Sequence, residues 1–386
     1  MRIALVVPGG VDRSGEYRVI PALLALIERL SSQNDLTVFA LSQEPHPGTW
    51  HLAGAQIHNI GHRQTRLRAI RAIYTQHRTT PFDLVHSIWS WHCGLVAISA
   101  ARLLNIPSLV HVAGGELAAL PDIGYGGRLT WRGRLREAIV LRSASAVTAA
   151  SAPILESLSA LGVAAQRIPL GVDLGKWPPR APVRHSRDPR EPARLVHLAS
   201  LNHVKDQPTL LRALAALKAS GREFTLDAVG EDTLGGAIQA LAGQLGLADR
   251  VTFHGFLPQK AVRPLVERAD LMVISSRHEA GPLAMLEAAV VGVPTVGTAV
   301  GHVMEWSPDA AYAVPIGDPS ALGAAISKLL DDEDLRVRLA TEAFHRALRE
   351  DANYTAQCFQ TLYGSVKNCT NRAHRGGTGR PRGDPA

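Results

Sequence analysis

Cysteine is scarce in this chain of 386 residues. The three cysteines, Cys93, Cys358 and Cys369, are odd in number and lie far apart. They provide neither a disulfide framework nor the paired Cys-x-x-Cys spacing of zinc and redox sites. We therefore expect a protein of a reducing compartment, the cytoplasm.

Long hydrophobic runs are also missing. The longest nearly uncharged stretch, Ala288–Gly301, is interrupted by Pro294 and is too short to cross a bilayer. At the start, the apolar run 3–7 ends at Pro8-Gly9-Gly10, which is too early for the core of a signal peptide. This run instead predicts a first β-strand in a protein without a membrane span.

Aromatic residues make up only 5% of the chain, and no nucleic-acid-binding motif accompanies its net charge of +7. This combination argues against a nucleic acid partner. Residues 1–170 hold 16 arginines and 10 acidic residues, whereas residues 195–363 hold 14 basic and 20 acidic residues. The division indicates a basic half that faces something anionic. Arginines that are merely solvated on helix surfaces are the alternative.

Apolar runs of strand length alternate with helix-like segments along nearly the whole chain, and continuous apolar strands separated by helices predict parallel sheets covered on both faces. In the first half, the predicted strands are 3–7, 36–41, 56–59, 84–86, 108–111, 146–149 and 167–169. In the second half, they are 194–199, 224–229, 250–254, 271–274 and 295–297. The fold class is therefore α/β, with two facing Rossmann-like, doubly wound domains and a cleft between them.

Composition shifts predict the boundaries of these domains. Residues 177–192 hold five prolines and four arginines without apolar periodicity, as is typical of a linker. The predicted parts are an N-terminal domain (1–170), a linker (171–193), a C-terminal domain (194–350), a helix that crosses back to the N-terminal domain (351–367) and a disordered basic tail (368–386).

A glycine-rich loop with Gly9, Gly10 and Gly15 follows the first strand. Glycines let a backbone approach a ligand, and the next helix offers free N–H groups to an anion. The spacing is not Gly-x-Gly-x-x-Gly, and no acidic residue ends a clear second strand, so a nicotinamide or flavin enzyme is disfavoured. We interpret the loop as a candidate phosphate or acceptor loop; a tight strand-to-helix turn is the alternative.

The most informative segment is 275–298, in which a strand ends near Ile274 and Gly281-Pro282 opens a helix. The N–H groups of Leu283 and Ala284 are predicted to meet a phosphate at the helix start. Glu279 and Glu287 flank that start, and carboxylates accept hydrogen bonds from paired hydroxyls. The alternative is a helix whose first turns are acidic because the helix dipole favours it.

The spacing of Glu279 and Glu287 resembles the E-x7-E motif of glycosyltransferase family 4, retaining enzymes of the GT-B fold. The resemblance extends from residue 1 to about 365. Further segments that carry it are Pro81-Phe-Asp-Leu-Val-His86, Ile168-Pro-Leu-Gly-Val-Asp173, Leu198-Ala-Ser-Leu-Asn-His-Val-Lys205 and Val251-Thr-Phe-His-Gly-Phe256. As a set these segments are specific for that family.

The resemblance implies a role for each matching position. Lys205 and the helix start at Gly281, Leu283 and Ala284 would bind the donor diphosphate. Glu287 would hold the nucleotide ribose, Glu279 the hydroxyls of the donor sugar, and the turn at Phe256 the base. No His/Asp cluster has metal-ligand spacing, so we expect no metal and no cofactor beyond the nucleotide-sugar substrate.

Two departures from the family pattern bear on the chemistry. Ser200 stands where the family usually has arginine, which leaves Lys205 as the single matching cation. Ala113-Gly114 stands where the family has His-Gly, with His111 before it and Glu116 after it. Either His111 is directed into the cleft or Glu116 takes over part of the acceptor-side role; a histidine satisfied within its strand is the alternative for His111.

Three functions are compatible with this pattern. The first is a sugar-nucleotide-dependent, hexosyltransferase-type glycosyltransferase that transfers with retention to a glycan or lipid-linked acceptor, as in polysaccharide biosynthesis. The second is a catalytically silent GT-B-like protein that binds sugar or nucleotide, suggested by Ser200 and Ala113. A nicotinamide enzyme or a phosphorylase is the third.

The arginines of the N-terminal half form two clusters, and the resemblance places acceptors on this half. These arginines are Arg63, Arg66, Arg68, Arg71 and Arg78, then Arg128, Arg132, Arg134, Arg136 and Arg142. Leu129, Leu135 and Ile139 are predicted to form one helical stripe among the second cluster, as in interfacial helices. The sequence thus suggests an anionic acceptor and peripheral contact with the inner membrane face. A helix that packs its apolar stripe on the sheet is the alternative.

Overall fold

The computed structural model describes residues 1–184 and 191–376, with side chains through residue 368. Two parallel sheets, each covered by helices on both faces, make up two facing domains. The predicted α/β architecture is therefore confirmed. The cores lie between each sheet and its helices, where the strands are buried on both sides.

The N-terminal domain is built on an eight-stranded sheet of order β3-β4-β2-β1-β5-β6-β7-β8. Its strands are β1 (Arg2–Val7), β2 (Asp35–Ala40), β3 (Gly48–Leu52), β4 (Ala55–Asn59), β5 (Leu84–Ile88), β6 (Ser108–Val112), β7 (Ala146–Ala149) and β8 (Gln166–Arg167). Its helices are α1 (Pro21–Ser31), α2 (Thr65–Thr79), α3 (Leu95–Leu104), α4 (Trp131–Ser143) and α5 (Ala152–Ala160). The central strands β1, β5 and β6 are almost wholly buried, as parallel strands between two helical layers must be.

The C-terminal domain is built on a six-stranded sheet of order β11-β10-β9-β12-β13-β14. Its strands are β9 (Ala193–Leu198), β10 (Phe224–Val229), β11 (Val251–Gly255), β12 (Leu271–Ile274), β13 (Thr295–Thr298) and β14 (Tyr312–Val314). The helices are α6 (Gln207–Ala219), α7 (Ala237–Gln244), α8 (Gln259–Glu267), α9 (Leu283–Val290), α10 (Gly301–Trp306), α11 (Pro319–Asp331) and α12 (Glu333–Arg349). Three of these helices, α6, α11 and α12, start at an aspartate whose carboxylate accepts a backbone N–H of the first turn.

Elements outside the predicted set have weak sequence patterns. The antiparallel edge strand β3 alternates between half-buried and exposed residues, and a turn with positive φ at Ala53 and Gly54 joins it to β4. β14 and α10 are three and six residues long. Such short or half-exposed elements do not produce the apolar periodicity on which the prediction relied.

The crossover between the domains is tightly packed. The Gly171 N–H donates to Thr355 Oγ1 at 2.9 Å, and a Cβ atom on Gly171 would lie 2.2 Å from the Asp351 backbone. Beyond it, Trp177 is fully buried in the core of the C-terminal domain. The linker segment up to residue 184 is therefore anchored to that domain, and residues 185–190 of the predicted linker lie outside the described residues.

Helix α13 (Ala352–Gly376) returns the chain to the N-terminal domain. Phe359 and Tyr363 are buried there with α1, and the Tyr363 hydroxyl lies 2.7 Å from His86 Nδ1. The helix includes residues 368–376, the first part of the segment that was predicted to be a disordered tail. No proline occurs between residues 352 and 380, so no proline breaks this helix. Residues 377–386 of the predicted tail lie outside the described residues.

Candidate active site

Lys205 and Glu279 meet in the cleft, at the carboxyl ends of β9 and β12. Lys205 Nζ lies 2.5 Å from Glu279 Oε1, which also accepts a hydrogen bond from Ser276 Oγ at 2.7 Å. The two loops are held together because Ser275 Oγ donates to the Lys205 carbonyl at 2.8 Å. A cation and a carboxylate are thus placed side by side where ligands of such sheets bind.

Helix α9 starts beside this pair. Pro282 is the residue before the first helical turn, so the helix begins at Leu283, one residue later than predicted. The first N–H groups, including those of Leu283 and Ala284, have no partner inside the helix. Gly281 lets the loop before α9 pack closely against His302, since a Cβ atom at position 281 would lie 2.8 Å from His302 Nε2.

Glu287 is placed one turn into α9 and faces the N-terminal domain. It accepts a hydrogen bond from Gln259 Nε2 at 3.0 Å and lines a small cavity together with Pro21 of α1 and Lys176. Burial raises the pKa of Glu287 to about 7, although the hydrogen bond from Gln259 opposes the rise. A carboxyl group in such a site can both accept hydrogen bonds and, when protonated, donate one.

Ser200 and Phe256 stand at the ends of β9 and β11. The Ser200 carbonyl accepts a hydrogen bond from Gln207 Nε2 at 3.1 Å, which fixes the loop that carries Lys205. The Phe256 ring is half exposed and lies 5.7 Å from the ring of Tyr17, which belongs to the other domain. An aromatic surface is therefore available where the resemblance implies base binding.

The glycine loop after β1 forms an ordered turn at the same cleft. Gly10 has a φ of +79°, and its carbonyl accepts the Ile20 N–H at 3.0 Å. Gly9 packs against Gln43, and Gly15 closes a turn onto Asp12. The residues that follow Gly15 face the C-terminal domain, so the loop lies across the cleft from the donor-side elements.

A second glycine-rich loop, residues 113–127, borders the site from the N-terminal domain. Glu116 in this loop is 4% exposed, and its Oε1 accepts the Ser90 N–H at 3.1 Å. In the described part of the chain its Oε2 has no hydrogen-bond partner, and Glu116 lines a cavity. Burial raises the pKa of this carboxyl, which the surrounding backbone N–H groups partly offset.

This loop also touches the donor side directly. The Gly114 carbonyl lies 3.2 Å from His278 Nε2, the ring of Tyr125 lies 5.9 Å from that of His278, and Arg277 forms an ion pair with Asp122 at 2.5 Å. Glu116 and Glu279 therefore approach the same region from opposite domains.

His111 is not brought into the cleft. It is fully buried in β6, where Nδ1 lies 2.9 Å from Thr148 Oγ1 and the ring contacts Phe359 of α13. Burial lowers the pKa of His111 to about 3. Of the two residues that the sequence left open, Glu116 is the one that lines the cavity.

The cavity beside Glu116 has a volume of about 1260 Å³ and was missed from the sequence. Its wall includes Trp89, whose φ of +71° is costly for a residue with a side chain and persists only where the surroundings impose it. The residues that define it most clearly are Ile20, Arg66, Leu67, Trp89, Trp91, Glu116, Tyr125, Leu129 and Arg136. The five glycines between residues 114 and 127 were the available signal in the sequence.

Comparison with known proteins identifies the chain. The family "Glycosyl transferases group 1" matches residues 183–346, and the "Glycosyl transferase 4-like domain" matches residues 19–171. The chain is a glycosyltransferase of the family 4 type. A relative in Mycobacterium tuberculosis, "Glycogen synthase", is 27% identical over 325 residues, which is 80% of this chain and 75% of the relative.

Solved structures show the same fold for this glycosyltransferase. Sucrose-phosphate synthase from Thermosynechococcus elongatus is 20% identical, with a TM-score of 0.78 over 96% of this chain and 100% of that one. HepE from Anabaena, in complex with UDP-glucose, is 19% identical, with a TM-score of 0.71 over 95% of this chain and 100% of that one. The two-domain architecture is the GT-B fold.

Two kinds of feature are absent from the described residues. In the parts of the chain that the structure describes, no helix has the length and apolar character needed to cross a membrane. The same parts contain no group of three His, Cys, Asp or Glu side chains arranged to hold a metal ion.

Proposed function

We propose that this enzyme transfers a sugar, with retention of anomeric configuration, from a nucleoside diphosphate sugar to a glycan or lipid-linked acceptor. The observation that carries the proposal is the contact of Lys205 with Glu279 beside the start of α9. A cation, free backbone N–H groups and a carboxylate are the groups that a diphosphate and a sugar require. The UDP-glucose bound to the similarly folded HepE supports a nucleotide-sugar donor.

When the donor binds, the contact between Lys205 and Glu279 is replaced by contacts of each residue with the donor. Its diphosphate takes Lys205 and the N–H groups of Leu283 and Ala284, which frees Glu279 to accept hydrogen bonds from sugar hydroxyls. As the bond from the anomeric carbon to the diphosphate breaks, negative charge grows on the departing phosphate oxygens. Lys205 and the α9 dipole stabilise this charge, so transfer requires no metal.

The acceptor approaches from the N-terminal domain. Glu116 holds the reacting hydroxyl, because this residue lines the cavity in the loop that contacts His278 and its Oε2 has no hydrogen-bond partner within the described residues. His111 has no acceptor-side role in this proposal, because it is buried in the core against Phe359.

The proposal is tested with a panel of UDP-, GDP- and ADP-sugars in the presence of EDTA. We expect slow hydrolysis of one donor without acceptor, and transfer with retained configuration when acceptor mixtures are added, both insensitive to EDTA. Donor binding without turnover under any of these conditions would instead indicate the catalytically silent binding protein.

Glu287 and Glu279 are expected to act on different parts of the donor. Glu287→Ala should weaken the free nucleotide and the nucleotide sugar alike, since each lost charge-assisted hydrogen bond costs about 1.5–3 kcal/mol. Glu279→Ala should leave the affinity for the free nucleoside diphosphate close to the wild-type value and reduce turnover. Calorimetric titration with both ligands and initial rates measure the difference. Wild-type rates in both variants would show that the donor site lies elsewhere.

The basic N-terminal domain also carries a surface suited to an anionic membrane. On α4, Trp131, Leu135 and Ile139 recur every four residues and are 62%, 52% and 46% exposed. The buried face of this helix is a different one, formed by Gly133, Glu137, Val140 and Leu141. The alternative in which the apolar stripe packs on the sheet is therefore not what the geometry supports. Leu129 precedes the helix and lines the cavity, so Trp131 takes its place in the stripe.

We propose that α4 places the enzyme peripherally on the cytoplasmic face of an anionic membrane. Each arginine near such a surface contributes about 1 kcal/mol to the free energy of membrane binding. This attraction falls off over a Debye length, which is about 8–10 Å at physiological salt. The apolar stripe inserts at the level of the headgroups, as in other interfacial helices.

Vesicle sedimentation tests this contact. Vesicles of phosphatidylcholine with about one third phosphatidylserine should retain the enzyme at low salt, and binding should fall steeply as salt rises. Combined Arg132→Gln and Arg134→Gln, or combined Leu135→Ser and Ile139→Ser, should release it. The matched controls are Arg102→Gln and Leu103→Ser on α3, which are also exposed. Equal recovery in the supernatant with neutral and anionic vesicles would contradict the proposal.

A further inference from the structure

Two arginines without an anionic partner lie at the mouth of the large cavity beside Glu116. Arg66 belongs to the first turn of α2 and Arg136 to α4, and both line the cavity. Neither guanidinium makes an ion pair or a hydrogen bond within the described parts of the chain, and Arg136 Nε is buried without a partner. Buried polar groups in proteins are nearly always hydrogen-bonded, so the unpaired Nε leaves this guanidinium short of partners within the described residues.

The positive charges at this mouth act on one another. Burial lowers the pKa of Arg136, and the charge of Arg66 lowers it further. Burial also lowers the pKa of His92, with added contributions from Arg136 and Arg66. The neighbouring acid, Glu137, compensates poorly because burial raises its pKa to about 7 and its Oε1 is held by Ser90 Oγ at 2.5 Å. A bound anion would relieve this repulsion.

Aromatic stacking fixes the position of one guanidinium. The Arg136 guanidinium carbon lies 5.3 Å from the centre of the Trp91 ring, which itself stacks on His92 at 4.8 Å. A guanidinium held in this way presents its N–H groups as a planar fork, the geometry that phosphate and carboxylate groups accept.

Behind the arginines the cavity wall is mainly apolar. The apolar side chains that line it include Ile20, Leu41, Leu67, Trp89 and Leu129. A volume of about 1260 Å³ also exceeds the usual range of small-molecule pockets, about 300–1000 Å³. An acceptor made only of sugar would leave many hydroxyls without partners against such a wall, at a cost in desolvation.

A further charged residue of the cavity lies in the loop that contacts the C-terminal domain. Glu116 lines the cavity, its Oε2 has no hydrogen-bond partner among the described residues, and the loop that carries Glu116 contacts His278 next to Glu279. The cavity therefore combines two cationic side chains, a mainly apolar wall and a carboxyl group in the loop that contacts His278.

We propose that this cavity binds the acceptor as an amphiphile whose anionic group, a phosphate or carboxylate, is held between Arg66 and Arg136. The apolar body of the acceptor lies against Trp89 and Leu129, and its hydroxyl is held by Glu116. This inference rests on the proposed transferase function and specifies the chemical class of its acceptor.

Calorimetric titration with octyl phosphate, octanol and inorganic phosphate, each below any micelle concentration, tests the inference. We expect octyl phosphate to bind with a stoichiometry of one and at least about 10-fold more tightly than either octanol or inorganic phosphate. Combined Arg66→Gln and Arg136→Gln should weaken octyl phosphate at least about 10-fold. Leu67→Ser, at an exposed position that folding tolerates, should weaken octyl phosphate and leave inorganic phosphate unchanged.

Arg102→Gln on α3 is the matched control, because it removes an exposed arginine outside the cavity. Equal affinity for octanol and octyl phosphate, or unchanged binding in the double arginine variant, would overturn the inference. Tight binding of inorganic phosphate alone would point to a free phosphate ion and also overturn it. Donor hydrolysis is followed in the same preparations: its absence counts against the transferase itself, whereas intact hydrolysis without octyl phosphate binding rejects only the acceptor class.

Discussion

Lys205→Ala is expected to lower kcat by about 100- to 1000-fold, as the loss of one preorganised electrostatic stabiliser does in other enzymes. Lys205 is the only lysine or arginine in the segment 199–206, because Ser200 stands where the family has arginine. Its ammonium lies 2.5 Å from Glu279, where the proposed mechanism places the departing diphosphate. Since the charge on the diphosphate is larger in the transition state than in the bound donor, kcat should fall more than the affinity for the donor.

The measurement is the initial rate of donor hydrolysis or transfer at saturating donor. Lys218→Ala is the control, since Lys218 is a surface lysine of the same domain that pairs with Asp249 on the protein exterior. A Lys205→Ala enzyme with the kcat of the wild type would remove Lys205 from the mechanism. Thermal unfolding of the variant shows whether a lower rate reflects a lost charge or a lost fold.

The donor side of the site could be predicted from the sequence because its groups are local. Glu279, Pro282 and Glu287 lie within nine residues, and the rule that ligands bind beyond the carboxyl ends of parallel strands places them together. Lys205 is 74 residues from Glu279, and only its resemblance to a known phosphate-binding segment linked the two.

The acceptor side could not be predicted in this way. The cavity proposed for the acceptor is lined by Ile20 before α1 and by residues of α2, the turn after β5 and the loop 113–127, and no periodicity relates such distant segments. The choice between His111 and Glu116 as the acceptor-side residue also remained open. His111 lies in a strand, and strand alternation does not say which of two covered faces its side chain meets.

Helix α4 shows why an apolar stripe is ambiguous. A repeat of Trp131, Leu135 and Ile139 is normally the core-facing side of a helix. In α4, two contacts of the other face decide the orientation of the helix. Gly133 packs against the Gly127 carbonyl, and Glu137 accepts a hydrogen bond from Ser90. These two contacts turn the apolar stripe to solvent, and neither contact is visible in the sequence.

The strongest effect on stability is expected at Glu305, which joins the two domains behind the active site. Glu305 is 5% exposed, and Oε1 lies 2.6 Å from an Arg167 guanidinium nitrogen of the N-terminal domain. Oε2 accepts the N–H of Ala152 at the start of α5, 2.9 Å away. Glu305→Ala should lower the free energy of unfolding by about 3 kcal/mol, at the lower end for a broken buried ion pair because Glu350 still contacts Arg167.

The free energy of unfolding that Glu305→Ala loses should become smaller as the pH falls. Burial alone would raise the pKa of Glu305, but hydrogen bonds from His302 and Ala152 and the charge of Arg167 outweigh it and hold the pKa at about 2. The ordinary value is 4.5, so the folded state binds the proton less readily than the unfolded chain does. The contribution is therefore complete above about pH 4.5 and declines as the pH falls toward 2.

Urea unfolding between pH 7 and pH 3 should show that the difference in free energy of unfolding between wild type and Glu305→Ala narrows below pH 4.5. Glu342→Gln, at an exposed position on α12, should stay within about 0.5 kcal/mol of wild type throughout. A constant difference across this range would mean that the charge of Glu305 does not hold the domains together.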